Sequence, residues 1–149
     1  MVEVMYIELH IHSNFSFLDG ASTTEELVER AAALGMQALA MTDHDGLYNA
    51  SMFFRMAKNA GIKPIIGAEL TLEHGNHLLL LVKDRQGYSN LSRLITKAHL
   101  AGSKGEPVLA KTALSGYAEG LVCLSGCRKG EIPELLLNGE RERAVEAGD

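Results

Sequence analysis

The first residues of the chain have the alternating pattern of a β-strand. Over residues 4–12 every second side chain is apolar, and these apolar positions are Met5, Ile7, Leu9 and Ile11. Side chains two apart on a strand point to the same side of a sheet, so this face is expected to pack inward. The opposite face ends in His10 and His12, which places two imidazoles side by side.

Short apolar runs and segments with helical periodicity alternate along the rest of the chain. The apolar runs predict strands over residues 37–42, 64–69, 77–82 and 120–124. The helical periodicity predicts helices over residues 23–34, 47–60, 84–99, 109–114, 131–137 and 140–147. This order of elements predicts an α/β fold with a mostly parallel sheet.

Local signals mark both ends of the first helix. Ser22 and Glu25 have the spacing of a capping box, in which the two side chains accept hydrogen bonds from each other's backbone N–H groups. Gly35 stands where a left-handed backbone commonly ends a helix. The first helix is therefore expected to begin after Ser22 and to end before Gly35.

Composition and charge restrict the possible functions. The 149 residues are 46% hydrophobic and 22% charged, which is typical of a single globular domain. The net charge of −5 and the scattered Lys and Arg residues exclude a basic groove, so we expect weak or no DNA binding by the chain alone. Aromatic residues make up 5% of the chain, which disfavours an aromatic stacking platform for single strands.

The two cysteines do not form a disulfide framework. Cys123 lies in an apolar run and is expected to be a small core residue, whereas Cys127 follows that run. The sequence has neither a recognisable signal peptide nor an apolar stretch of membrane-spanning length. These features predict a reduced, cytoplasmic protein that does not contact a membrane.

Metal-capable side chains recur after the predicted strands and near one helix end. They are His10, His12, Asp43, His44, Glu69, His99 and Cys127. The carboxyl ends of strands form the functional face of parallel α/β proteins. Imidazole, carboxylate and thiolate together suit zinc, manganese or iron, and Cys127 favours zinc. More ligands than one tetrahedral ion needs indicate a multinuclear site, which would suit phosphate chemistry.

Each of these residues also has a simpler interpretation. Asp43 and Asp45 are typical of a turn and a helix cap, and His99 suits a helix C-terminus. Cys127 alone would more often be a structural thiol. His74 and His77 flank a predicted hairpin turn, where both are expected to be solvated. The recurrence of metal-capable residues at equivalent positions nevertheless favours a metal site.

Several motifs taken together resemble the polymerase-and-histidinol-phosphatase (PHP) domain family. The motifs are His10-Ile-His12-Ser13, Asp19-Gly20, Thr42-Asp43-His44, Gly67-Ala-Glu69, His99 and Ser125-Gly126-Cys127. Residues 12–21, 31–46 and 60–69 are especially similar to the PHP domain at the N-terminus of bacterial DNA polymerase III alpha subunits and their error-prone relatives. The resemblance extends over essentially the whole chain.

The resemblance implies a distorted (β/α)7 barrel of the TIM type that binds up to three divalent metal ions, with zinc expected and manganese or iron as alternatives. It implies phosphoester hydrolysis, which in the polymerases is a 3′→5′ proofreading exonuclease. The ligands implied by position are His10, His12, Asp19, His44, Glu69, His99 and Cys127. The residues implied in catalysis are His10, His12 and Asp19, with Asp43 in a supporting role.

One departure from the family concerns length. The family's last two ligands, an Asp-x-His pair, have no counterpart before Asp149. The resemblance therefore implies that residues 1–149 are the N-terminal portion of one PHP domain without its last strands. Its implied partners, through a longer polymerase, are DNA and other replication subunits. Two alternatives remain open: a structural domain braced by metal, and a stand-alone phosphatase similar to histidinol phosphatases.

Overall fold

The structure is a computed structural model that describes residues 6–148. Its strands are β1 (Ala38–Met41), β2 (Lys63–Thr71), β3 (His77–Val82) and β4 (Leu121–Leu124). Its α-helices are α1 (Thr24–Ala33), α2 (Ala50–Asn59), α3 (Arg85–Ala101), α4 (Glu131–Leu137) and α5 (Arg141–Gly148), and short 3₁₀ helices cover Glu73–Gly75 and Lys111–Gly116. The predicted α/β class is confirmed, and β3 and α4 have the predicted bounds.

The sheet is mixed, so the prediction of a mostly parallel sheet is wrong. The strand order is β1-β2-β3-β4, and β1 and β2 pair in parallel, whereas the β2–β3 and β3–β4 pairs are antiparallel. The reason is the connection between β2 and β3, a hairpin over residues 72–76 with no crossover helix. Within residues 6–148 this sheet has four strands and does not close into a barrel.

The described part of the predicted first strand is an extended segment that joins the sheet through one isolated β-bridge. Glu8 pairs in parallel with Leu39, and the N–H of Ala40 donates to the carbonyl of Glu8 at 2.9 Å. Farther along, the Thr42 hydroxyl accepts from the N–H of Ile11 and donates to its carbonyl. The N–H of Thr42 also donates to the carbonyl of Ile11 at 3.0 Å, so backbone and side-chain bonds together hold this segment beside β1. Of the predicted strand 4–12, Met5 and the residue before it lie outside the described residues.

The first helix begins one residue later than its predicted capping box. Thr23 is the N-cap residue, and its hydroxyl accepts from the N–H of Glu26 while the Glu26 carboxylate accepts from the N–H of Thr23. The prediction that named Ser22 and Glu25 is wrong, because the neighbouring Thr-x-x-Glu has the same spacing and takes the cap. Gly35 follows the helix with a φ of +70°, as predicted.

Two apolar cores pack on the sheet. The first joins α1 and α2 to β1 and centres on Leu39, Phe53 and Ala57. The second joins α3 to β2 and β3 and contains Leu70, Leu80, Leu91 and Leu94. Each fully buried leucine stabilises the fold by about 1.5–3 kcal/mol relative to an exposed one. The cores therefore hold the strands whose ends carry the candidate ligands.

The edge of the sheet at β4 is open in the described part of the chain. Cys123 and Val122 on this strand are exposed, so the prediction that Cys123 is a core residue is wrong. An apolar run predicts burial, but β4 lies at the edge of the sheet and pairs only with β3 among residues 6–148. None of the helices described here combines the length and the apolar character needed to cross a bilayer.

Candidate metal centre

Imidazoles and carboxylates from four separate segments converge near one end of β2. Their potential ligand atoms form three overlapping groups, in each of which all atoms lie within 4.8 Å of one another. The groups are His10, His12 and Glu69; His12, Asp19 and His44; and His44, Glu69 and His77. His12, His44 and Glu69 each belong to two groups, so the three groups form one continuous cluster.

Glu69 is the central residue of this cluster. Its side chain is only 1% exposed, and its Oε2 lies 3.2 Å from His10 Nε2, 3.0 Å from His12 Nε2 and 3.5 Å from His44 Nε2. Despite these approaches, neither carboxylate oxygen has a hydrogen bond of regular geometry within the described part of the chain. A buried carboxylate without donors is costly, so this residue requires compensation by a positive charge.

Asp19 closes the cluster on its solvent side. Its Oδ2 lies 2.6 Å from His12 Nδ1 and 2.9 Å from His44 Nε2, and its side chain is half exposed. The chain can make this close turn because residue 20 is glycine. A Cβ there would lie 1.9 Å from the backbone oxygen of Ser13. The open side indicates the direction from which a substrate would approach.

The charges of the cluster shift the pKa values of its members. For Glu69, burial raises the pKa, but contacts with His10 and His12 outweigh it and hold the carboxyl pKa far below its usual range. Contacts with His44 and His12 lower the pKa of Asp19. For His12, burial lowers the pKa, but the carboxylates of Glu69 and Asp19 raise it above its usual value. The carboxylates are thus ionised and ready to accept a cation.

Asp43 stands behind the cluster in a buried polar network. Its carboxylate accepts from the Ser13 N–H at 2.7 Å, from the Ser16 hydroxyl at 2.8 Å and from the Asn49 amide at 2.9 Å. The Ser13 hydroxyl also donates to it. These bonds join the segment after His12 to the turn before His44 and occupy the carboxylate fully. Asp43 therefore positions ligand-bearing segments.

The turn after His44 is bonded to β2 at Glu69 and at Thr71. Asp45 has a φ of +48°, and its N–H donates to the carbonyl of Glu69 at 2.8 Å. Its carboxylate accepts from the N–H and the hydroxyl of Thr71, both at 2.8 Å. Asp45 is therefore more than the turn residue or helix cap that its sequence position indicates.

His77 belongs to the cluster, and the prediction that it is solvated is wrong. Its side chain is 12% exposed, and its Nδ1 lies 3.3 Å from Glu69 Oε1. Burial lowers its pKa. The residue opens β3 opposite Thr71, so it faces the same side of the hairpin as Glu69. His74, the other histidine of this turn, is exposed as expected.

Two sequence-predicted ligands lie outside the three groups. His99 Nε2 lies 2.8 Å from the carbonyl oxygen of Asp45, and the histidine thus joins α3 to the turn after His44. Cys127 Sγ lies 4.0 Å from His77 Nδ1, at the border of the cluster, and burial raises the pKa of its thiol. The remaining predicted ligands, His10, His12, Asp19, His44 and Glu69, are brought together.

The donor set fits divalent metal ions. His10 Nε2 and His12 Nε2 lie 3.2 Å apart and both point toward Glu69, which leaves imidazole and carboxylate lone pairs directed into one small space. Nitrogen and oxygen donors in this mixture are those that zinc, manganese and iron accept. The orphaned Glu69 carboxylate and the converging nitrogens together meet the requirements of a metal centre; the geometry leaves the metal's identity open.

The family model of the PHP domain matches residues 8–149, which include all of these groups. The chain belongs to the PHP domain family. Among its relatives are an error-prone DNA polymerase of Symbiobacterium thermophilum, 48% identical over 95% of this chain, and the DNA polymerase III subunit alpha of Treponema pallidum, 41% identical over 98%. This PHP chain spans 15% and 14% of those proteins, respectively.

Two solved structures have the same fold in part. One is a Bifidobacterium adolescentis protein assigned as a metal-dependent phosphoesterase, with a TM-score of 0.54 and 26% identity over 66% of this chain and 34% of that one. The other is an amidohydrolase of Chromobacterium violaceum with bound sulfate and no metal, with a TM-score of 0.51 and 26% identity over 95% of this chain and 50% of that one. The PHP fold of this chain thus occurs in metal-dependent phosphoesterases.

Proposed function

We propose that this PHP domain is a metal-dependent phosphodiesterase that removes nucleotides from the 3′ end of DNA within a DNA polymerase III alpha-like or error-prone polymerase. The observation that carries the proposal is the buried Glu69 carboxylate, which has four imidazole nitrogens at 3.0–3.5 Å but no hydrogen bond of regular geometry among residues 6–148. The identities of 41–48% with polymerase subunits support the substrate class. We place such a protein in the bacterial cytoplasm, with other replication subunits as partners of the longer chain.

The residues of the cluster have distinct roles in this proposal. His10, His12, His44, Glu69 and His77 would hold the ions, for which we favour zinc, and Asp19 would complete their coordination at the open side. The bound ions would supply a nucleophile near neutral pH and stabilise charge on the phosphate. Asp43 and Asp45 keep the ligand-bearing segments in register through their buried bonds. Cys127 is close enough to join after a small side-chain movement.

A nuclease assay tests the proposal. The metal-loaded chain is incubated with a 5′-labelled single-stranded oligonucleotide, and shortening from the 3′ end is followed with and without EDTA. His12→Ala is expected to lower the rate by at least about a hundredfold, because His12 belongs to two ligand groups. His74→Ala is the matched control, since that imidazole is exposed and lies outside the groups. Equal rates for His12→Ala and the wild type would contradict the proposal.

A second candidate is a purely structural metal site. The observation that favours it is the sparse backbone pairing of the first segment. Among the described residues this segment has one isolated bridge to β1, at Glu8, and one further backbone bond, from the Thr42 N–H to the Ile11 carbonyl. Metal held by His10 and His12 would tie this segment to β2. Under this hypothesis His10→Ala lowers the melting temperature and no nuclease activity is detected in the wild type. The polymerase relatives do not favour the stand-alone small-molecule phosphatase.

A further inference from the structure

An exposed apolar loop adjoins the metal centre. Phe17 is 90% exposed, Leu18 is fully exposed and Phe15 is partly exposed. We call residues 15–18 the apolar tip. Two of the four phenylalanines of the chain lie in it, so the low overall aromatic content conceals a local concentration. The tip is followed directly by Asp19, a member of the cluster.

The backbone of the tip is strained at Leu18. Its φ is +65°, in the left-handed region that glycine and asparagine adopt readily and that a leucine disfavours. Because the Leu18 side chain is fully exposed, packing within the described chain does not offset this cost. Strain at a residue beside a functional centre indicates that the side chain serves an external contact.

The tip is also held rigidly. The carbonyl of Ser16 accepts from the N–H groups of Asp19 at 3.1 Å and Gly20 at 2.9 Å, and the Ser16 hydroxyl donates to the buried Asp43. At the base of the loop the N–H of Asn14 donates to the carbonyl of Ser22 at 2.8 Å. The backbone of the tip is therefore held in one arrangement, which lowers the backbone entropy cost of binding a partner.

The chemistry of the tip selects one kind of partner. Residues 14–18 carry no ionisable side chain, so they do not attract phosphate, whereas phenylalanine and leucine offer apolar surface to a flat ring. The Cα atoms of Leu18 and Asp19 are about 3.8 Å apart, as in any trans peptide. A nucleotide whose phosphate lies beside Asp19 therefore has its base within reach of the tip.

We propose that the apolar tip stacks on the 3′-terminal nucleobase of a DNA strand whose terminal phosphodiester lies at the metal centre. The proposal rests on the function proposed above and adds the group that orients the substrate. Phe17 provides the stacking surface, and Leu18 packs against the ring edge. Stacking requires only a π face, so the tip accepts any of the four bases.

The test compares two oligonucleotides that differ only at the 3′ end, one with a terminal thymidine and one with a terminal abasic residue. The wild-type chain is expected to remove the base-bearing residue roughly tenfold faster than the abasic residue, because only the former has a base that can stack on the tip. The double variant Phe17→Ala, Leu18→Gly is expected to remove both at the same, slower rate. The matched control is Leu34→Ala, because Leu34 is a half-exposed apolar residue at the end of α1.

A binding measurement that does not depend on hydrolysis completes the test. An oligonucleotide with 2-aminopurine as its 3′-terminal base is titrated with the metal-loaded chain at low salt, since stacking quenches this fluorophore. Quenching by the wild type that is lost in the double variant supports the proposal even if no DNA is hydrolysed, in which case only the phosphodiesterase function fails. Absence of quenching by the wild type, or equal quenching by the double variant, overturns the stacking proposal and leaves the nuclease result to stand by itself.

Discussion

At the scale of single residues, the centre depends on where each imidazole meets Glu69. His10, His12, His44 and His77 approach its two oxygens from different segments, at 3.0–3.5 Å. Removing any one of these imidazoles takes away one of the groups that face the buried carboxylate. Individual substitutions are therefore expected to change metal content before they change the fold.

His77→Ala is expected to lower metal affinity by at least about tenfold, because it removes the nitrogen nearest Glu69 Oε1. The measurement is metal content per chain after dialysis against a competing chelator. His74→Ala is the matched control three residues away, and it should retain the wild-type metal content. Equal losses in both variants would show that the turn as a whole, rather than the His77 imidazole, determines binding.

Asp43→Asn is expected to destabilise the fold by about 1–3 kcal/mol. The Asp43 carboxylate accepts hydrogen bonds only, so an amide would place donors against the Ser16 hydroxyl or the Asn49 amide. Urea unfolding measures the change. Glu29→Gln on the exposed face of α1 is the control and should shift the free energy of unfolding by less than about 0.5 kcal/mol. A shift as small for Asp43→Asn would contradict the role of this network.

The sequence alone predicts most of this residue-scale picture. His10, His12, His44 and Glu69 follow apolar runs, and the rule that strand ends gather functional groups brings them together. The rule does not identify His77, because this residue lies at the beginning of a strand. The available signal was the short turn around Gly75, since a hairpin places the start of one strand beside the end of the other.

At the scale of helices and strands, local periodicity determines the elements, whereas their pairing depends on the connections. The bounds of β3 follow from its uninterrupted apolar run, yet the same run does not reveal that β3 lies antiparallel to β2. Cap positions present a similar ambiguity. Two overlapping Ser/Thr-x-x-Glu motifs begin at Ser22 and Thr23, and only the fold distinguishes them.

Thr23→Ala is expected to lower the free energy of unfolding by about 1 kcal/mol, because its hydroxyl accepts from the N–H of Glu26 in the capping box. Ser22→Ala is the matched control. The Ser22 backbone carbonyl accepts a hydrogen bond from the N–H of Asn14, and the substitution leaves this bond in place. Thermal or urea unfolding of both variants measures the change. A larger destabilisation by Ser22→Ala than by Thr23→Ala would contradict the assignment of Thr23 as the N-cap.

At the scale of the whole molecule, folding, metal binding and protonation are linked. A metal bound only by the folded chain stabilises it by about 2.7 kcal/mol at a concentration one hundred times its dissociation constant. Because the pKa of His12 is raised, the metal-free chain binds a proton at an imidazole that would also bind the metal. Metal and proton therefore compete for one imidazole.

The stabilisation by zinc is expected to increase as pH rises from about 6.5 to about 8. In the metal-free chain, the raised pKa of His12 contributes stability that is fully present below its unfolded value and is lost as pH rises through its folded value. The pKa values of Glu69, Asp19 and His77 are lowered, so these groups change their protonation state below this pH range. Melting temperatures with zinc and with EDTA measure the difference, and a difference independent of pH would contradict the competition.

The direction of β3 also has a consequence for how the chain assembles. Glu69 and His77 are only eight positions apart, so the hairpin brings them together at a small cost in loop-closure entropy. His10 and His12 arrive from a distant segment that has little backbone pairing of its own. Because contacts between distant segments form slowly, we expect the hairpin half of the centre to form before the half that contains His10 and His12. An ion held by Glu69 and His77 would therefore gain the His10 and His12 ligands only when the N-terminal segment docks, and this docking is expected to be a late step of folding.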